Sequence, residues 1–168
     1  MLFRSQVKAT LWNALLHGEL VPTRIHDHTV ENKRIDKCTT KPIFTIKNVT
    51  TINSNTNKGM VSISSFGAAS EVERLMRFKL IKNATLTGAS YAAKDGYSIS
   101  EIDTSATAYS GGTIVFASNS TRSDVVTDNF NKNGHNIELN PGDTLTVVGN
   151  TSASKSDVDI HVGWEEYF

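Results

Sequence analysis

Asp157-Val-Asp-Ile-His-Val-Gly-Trp164 alternates without a fault. Val158, Ile160, Val162 and Trp164 fall on one side of an extended chain, and Asp157, Asp159, His161 and Gly163 on the other. That is the period of a strand with one face in a core and one in water. Upstream, Pro141-Gly142-Asp143 is a turn signal: Pro pre-sets φ, and Gly accepts the positive φ that the next position can require. Thr144-Leu-Thr-Val-Val148 follows with β-branched residues, and the polar loop Gly149 to Ser156 joins it to the final strand. The segment Leu139 to Phe168 therefore reads strand, turn, strand, loop, strand.

The same pattern runs back to Pro42. Ile43 to Thr50 places Phe44 and Ile46 on one face, and Gly59 to Phe66 sets Val61 and Ile63 against Ser62 and Ser64. Glu73 to Lys82 sets Met76, Phe78 and Leu80 against Arg77, Lys79 and Ile81, and Tyr97 to Ile102 gives a further strand. Gly111-Gly112 introduces Thr113 to Ala117, whose apolar run is expected to be buried on both faces. Ser118 to Asn129 reads as a loop with a short strand, and Asn133-Gly134 as a turn before Asn136 to Leu139. Short strands with turn signals at regular spacing, and no helices between them, point to an all-β antiparallel β-sandwich, jelly-roll-like in arrangement. The absence of strand–helix alternation argues against a parallel sheet.

Ahead of Pro42 the pattern changes. Ser5 to Leu16 is the one stretch with helical spacing: Ser5 suits an N-cap, and Val7, Leu11 and Leu15 recur every four residues, with Trp12 and Leu16 widening the stripe. So short a helix is marginal alone and needs a surface to bury its stripe. Glu19 to Lys41 is charged and lacks periodicity, which reads as an extended arm. The expected organisation is an N-terminal helix and anchoring arm over residues 1–41 and a sandwich over residues 42–168. Val7, Leu11, Trp12, Leu15 and Leu16 would bind a partner subunit.

The chain has 168 residues, suited to one ordinary domain with an appendage. Asn, Ser and Thr together supply fifty residues, as befits many turns and polar outer faces. Seventeen basic residues balance 17 acidic ones, which gives no support to nucleic-acid binding. The balance is uneven along the chain: residues 1–41 carry 7 Lys or Arg against 4 Asp or Glu, and the remainder 10 against 13. The single cysteine, Cys38, rules out an intrachain disulfide. No apolar run approaches the ~20 residues of a membrane span, and the first residues lack a signal-peptide core. A soluble protein made in a cytosol is the expectation.

Chemistry is sparse in the sequence. His26-Asp27-His28 has metal-ligand character, because His26 and His28 would point the same way along a strand, but no third ligand is near. Asp157 and Asp159 share a strand face, and a solvated face is the expected reading over a glycosidase pair. Glu165-Glu166 is expected to discourage edge pairing or meet a basic partner. Trp164 belongs to a core face. Tyr91, Tyr97 and Tyr109 are loop aromatics that could serve a binding module. No Gly-x-Ser-x-Gly elbow, phosphate-binding glycine loop or His-Glu-x-x-His occurs. No catalytic residue, metal or cofactor is therefore expected.

Several blocks together resemble a β-sandwich module of tailed-bacteriophage virion proteins. They are Lys41-Pro-Ile-Phe-Thr-Ile-Lys-Asn48 with the following polar turn to Lys58, Leu80-Ile-Lys-Asn-Ala-Thr-Leu-Thr-Gly-Ala-Ser-Tyr91, Ile102-Asp-Thr-Ser-Ala-Thr107 and Ser110-Gly-Gly-Thr113. Leu139-Asn-Pro-Gly-Asp-Thr-Leu-Thr146 and Ser156 to Trp164 complete the pattern, which covers residues 41–168. The resemblance implies a non-enzymatic structural part of a virion, such as a capsid decoration or cement protein, a tail component or a fibre module. It implies other virion proteins as partners and a homo-oligomer, for instance a trimer. A receptor- or carbohydrate-binding module is the alternative.

Overall fold

The computed structural model describes residues 24–36, 39–70, 75–120, 126–151 and 155–168. The expected helix Ser5 to Leu16, with Val7, Leu11, Trp12, Leu15 and Leu16, lies outside the described residues. In chain order the first strands are β1 (Arg24–Ile35), β2 (Thr40–Asn48), β3 (Thr51–Ile52), β4 (Asn55–Thr56), β5 (Met60–Ser70), β6 (Met76–Lys82), β7 (Thr85–Thr87) and β8 (Ala92–Ala93). Then come β9 (Ser100–Asp103), β10 (Ala108–Ser110), β11 (Thr113–Ser120), β12 (Val126–Asn129), a four-residue helix α1 (Phe130–Asn133), β13 (Ile137–Leu139), β14 (Thr144–Thr151) and β15 (Ser156–Tyr167).

Two antiparallel sheets form a β-sandwich. The first runs β1-β15-β5, with β12 and β13 both paired to the far side of β5. The second runs β11-β6-β14-β2-β9-β8. Val158, Ile160, Val162 and Trp164 project from β15 into the core at 1% exposure or less, as their alternation requires. The sheets meet through aromatic rings: Phe44 lies 6.3 Å from Trp164, and Phe66 6.1 Å from Phe78. Each such fully buried side chain contributes roughly 1.5–3 kcal/mol.

Turns fall where the residues permit. Gly142 has φ +94°, and Asp143 N donates to Asn140 O at 2.9 Å, closing the turn that feeds β14. Pro42 sits at a register shift between β2 and β14, where a residue without an N–H does least harm to the ladder. The ribbon β7–β10 lies over the outer face of the second sheet against β2, and Thr45, Thr146 and Ile81 are buried on that face.

Three expectations need correction. The tract 24–35 is not a free arm: it is β1, paired along its length with β15, so the sandwich begins by Arg24 rather than Pro42. Its inward positions are Arg24, His26, His28 and Val30, a set too polar to register as a hydrophobic period. Next, β11 is not buried on both faces. It is the edge of the second sheet, and Ile114 is 53% exposed while Phe116 turns inward. Finally, Tyr97 belongs to a turn, at 76% exposure, and the strand after it starts at Ser100.

Candidate functional site

A group of ionisable and aromatic side chains stands where β1 of the first sheet approaches the turn before β9 of the second. Pairing with β15 sets His26 beside Trp164 and Arg24 beside Glu166. The alternation that buries Val158 through Trp164 continues to Glu166, which is fully buried. Its carboxylate accepts hydrogen bonds from the Ser98 hydroxyl, from the Ser100 hydroxyl at 2.5 Å and from Ile99 N at 3.2 Å. Trp164 Nε1 donates to the same Ser100 oxygen at 3.0 Å. His26 Nε2 lies 3.5 Å from Glu166 Oε2 without a hydrogen bond.

Around this centre the cations rest on rings. Lys94 Nζ stands 5.5 Å from the Trp164 ring and donates to Asp27 O at 2.6 Å. The Arg24 guanidinium lies between Tyr97, at 5.3 Å, and Phe168, at 5.9 Å, and pairs with Asp95 at 3.2 Å. Asp95 also accepts from Tyr97 N at 2.8 Å. That bond, with smaller help from Ser98 N and the Arg24 charge, holds its carboxyl below the usual range. His28 stacks on Phe44 at 5.2 Å; burial, then the Lys94 charge, lowers its pKa, and Asp27 opposes them.

Serine, histidine and carboxylate are the types found in hydrolytic triads, yet the order here is different. The hydroxyls donate to the carboxylate rather than to the imidazole, which a nucleophile needs as its base. The arrangement does something else well: it clamps β1, β15 and the turn before β9 together at one end of the sandwich. Glu166 is therefore a buried structural acceptor, which corrects the expectation of a surface charge. The signal was present, because residue 166 keeps step with 158, 160, 162 and 164.

The other candidates are dispersed. His26 and His28 do point the same way, but onto Trp164 and Phe44. Among the described residues no three His, Cys, Asp or Glu side chains gather as metal ligands. Asp157 pairs with Arg34 at 3.1 Å, and Asp159 accepts from Asn32 N at 2.7 Å, so both tie β15 to β1. Tyr91 is half-buried under Lys47 Nζ, 5.0 Å from its ring, while Tyr109 lies in β10. No helix among the described residues is long and apolar enough to cross a membrane.

No protein-family model and no curated protein matches the chain. Among solved structures it is similar to PirA, at 9% identity over 86% of this chain and 93% of that one, with a TM-score of 0.37. It is also similar to the Yersinia pseudotuberculosis-derived mitogen, at 10% identity over 85% and 86% with a TM-score of 0.36. For Tomato Aspermy Virus the values are 10%, 98%, 91% and 0.34. Likeness of this degree assigns neither family nor role.

Proposed function

We propose that this chain is a non-enzymatic structural subunit of a tailed-bacteriophage particle, a jelly-roll sandwich attached through its N-terminal segment to capsid or tail proteins. The strand order carries this reading. With β12 and β13 taken as one interrupted strand, the eight long strands in chain order pair as 1-8-3-6 in the first sheet and 5-4-7-2 in the second. Such nesting of outer around inner strands supports a jelly roll, an architecture of capsid domains. The groups that could have served chemistry, Glu166, Asp157 and Asp159, are engaged in holding strands together.

The residues before Arg24 join the sandwich at an edge strand. The stripe of Val7, Leu11, Trp12, Leu15 and Leu16 is then the anchor, burying apolar surface on a neighbouring virion protein at roughly 25 cal/mol per Å². A homo-oligomer such as a trimer would multiply that contact. Full-length protein carrying Leu11→Asp and Leu15→Asp tests this by incorporation into particles. Loss of incorporation with an unchanged melting profile supports the anchor; wild-type incorporation overturns it.

A second reading, a receptor- or carbohydrate-binding module, is favoured by one observation. Tyr97 presents an exposed ring beside Arg24 and Asp95, which fix the turn that carries it. A glycan array probed with the full chain, and with Tyr97→Ala as control, decides it; absence of signal dismisses it.

A further inference from the structure

The outward faces of the two sheets carry side chains of opposite charge. On the first sheet the strand period turns Asp27, Asp157, Asp159, Glu165 and Glu138 outward. Among the described residues Asp157 pairs with Arg34, while Lys94 and Lys82 donate to the backbone carbonyls of Asp27 and Glu138 rather than to their carboxylates. Asp159, Glu165 and Glu138 accept from neutral donors, namely Asn32 N, Asn131 with the Tyr167 hydroxyl, and Asn136. Within this face, Ser65, Gly67 and Ala69 on β5 leave a groove of about 430 Å³ bordered by Thr29, Asp159 and Thr127.

The second sheet presents the converse. Arg77 and Lys79 turn outward from β6, both exposed, and neither makes a hydrogen bond or ion pair among the described residues. Lys79 neighbours Ala117 on β11, and a register shift in that strand leaves Ile114 and Val115 at 53% and 36% exposure. The result is an apolar knuckle on the sheet edge, with Lys79 and Arg77 on the neighbouring strand. β11 contains neither charge nor proline, two of the devices that guard a sheet edge, and its register shift is the one it has.

We propose that copies of this chain associate head to tail, the Ile114–Val115 knuckle of one copy seated in the Gly67–Ala69 groove of the next. Lys79 and Arg77 then face Asp159, which borders the groove beside His161, and the other carboxylates of the same sheet face. Charge complementarity selects this mode, since two copies meeting through the same outward face of the first sheet would set carboxylate against carboxylate. Because the two surfaces differ, the contact is heterologous and either closes into a ring or extends. The inference rests on the assembly reading above and adds a contact between copies that does not use the N-terminal stripe.

Sedimentation velocity of the full-length chain tests it. Expected is concentration-dependent association at about 50 mM salt that weakens at about 0.5 M. Arg77→Glu with Lys79→Glu, or Asp27→Lys with Glu138→Lys, should each weaken it about tenfold or more, and an equimolar mixture of the two double variants should restore it. A Cβ at Gly67 meets nothing closer than His161 Cβ at 3.6 Å, so Gly67→Leu directs its side chain into the groove; it should abolish association, with circular dichroism as the check that the sheet is kept. A chain monomeric at all concentrations overturns the proposal. So does association indifferent to all three variants but lost with Leu11→Asp and Leu15→Asp, and that outcome leaves the anchor standing.

Discussion

Glu166 Oε1 accepts the Ser100 hydroxyl at 2.5 Å, joining the last strand of one sheet to β9 of the other. A fully buried carboxylate is stable there because three donors meet it. Glu166→Ala leaves those donors facing a void and should cost about 1–3 kcal/mol for each one left unsatisfied. Glu166→Gln keeps the volume but turns one acceptor into a donor, at about 1–3 kcal/mol. Urea unfolding measures both, and wild-type stability in Glu166→Ala would remove the clamp from the account.

His28 gives the sandwich a pH dependence. Its folded pKa is depressed by burial and by Lys94, so the unfolded chain takes up the proton first as pH falls. Stability from this residue is complete above its ordinary value of 6.5 and is lost as pH drops through 6.5 toward the lower folded value. His28→Phe keeps a ring over Phe44 and cannot titrate. Melting temperatures at pH 7.5 and 5.5, about one unit either side of the ordinary value, should differ less in the variant than in the wild type. An equal drop in both would contradict the assignment.

Gly112 is required twice over. Its φ is +82°, and a Cβ would stand 2.7 Å from Ile81 Cγ2 and 2.8 Å from Lys82 O. Gly112→Ala should cost about 2–4 kcal/mol through backbone strain and overpacking combined. Gly111, with φ +64° but open space around its Cβ position, should lose only the conformational part, about 1 kcal/mol. Equal losses at the two sites in chemical denaturation would count against the packing of β11 on β6.

The reach of sequence reading differs strand by strand for physical reasons. β15 is legible because its inward side chains are apolar and its outward ones polar. β1 obeys the same period, yet its inward row is Arg24, His26, His28 and Val30, accommodated by rings and carboxylates that only folding brings near. Ile114 to Phe116 looks like buried strand because apolar content says nothing of whether a strand lies at a sheet's edge. The rim cluster was visible only in pieces. Trp164 and His26 stood out singly, but Ser98, Ser100 and Glu166 join them across more than sixty residues. The outward charges of Arg77 and Lys79 were legible as a strand face, while their acidic counterpart needed the sheet order.

The pairing of β1 with β15 places Arg24–Ile35 in the sandwich. Removing residues 1–36 should therefore strip Trp164 and Phe44 of His26 and His28, leave β15 as a raw edge, and cost about 3 kcal/mol or more. Limited proteolysis and thermal melting report it. A melt unchanged by that deletion would return β1 to the status of an arm.

The most direct measurement is particle incorporation by a chain lacking residues 1–22, set against its own urea unfolding curve. Unfolding within about 0.5 kcal/mol of the full chain together with loss of incorporation is the expected pair of results. A truncated chain that still enters particles at the wild-type level would contradict attachment through the N-terminal segment.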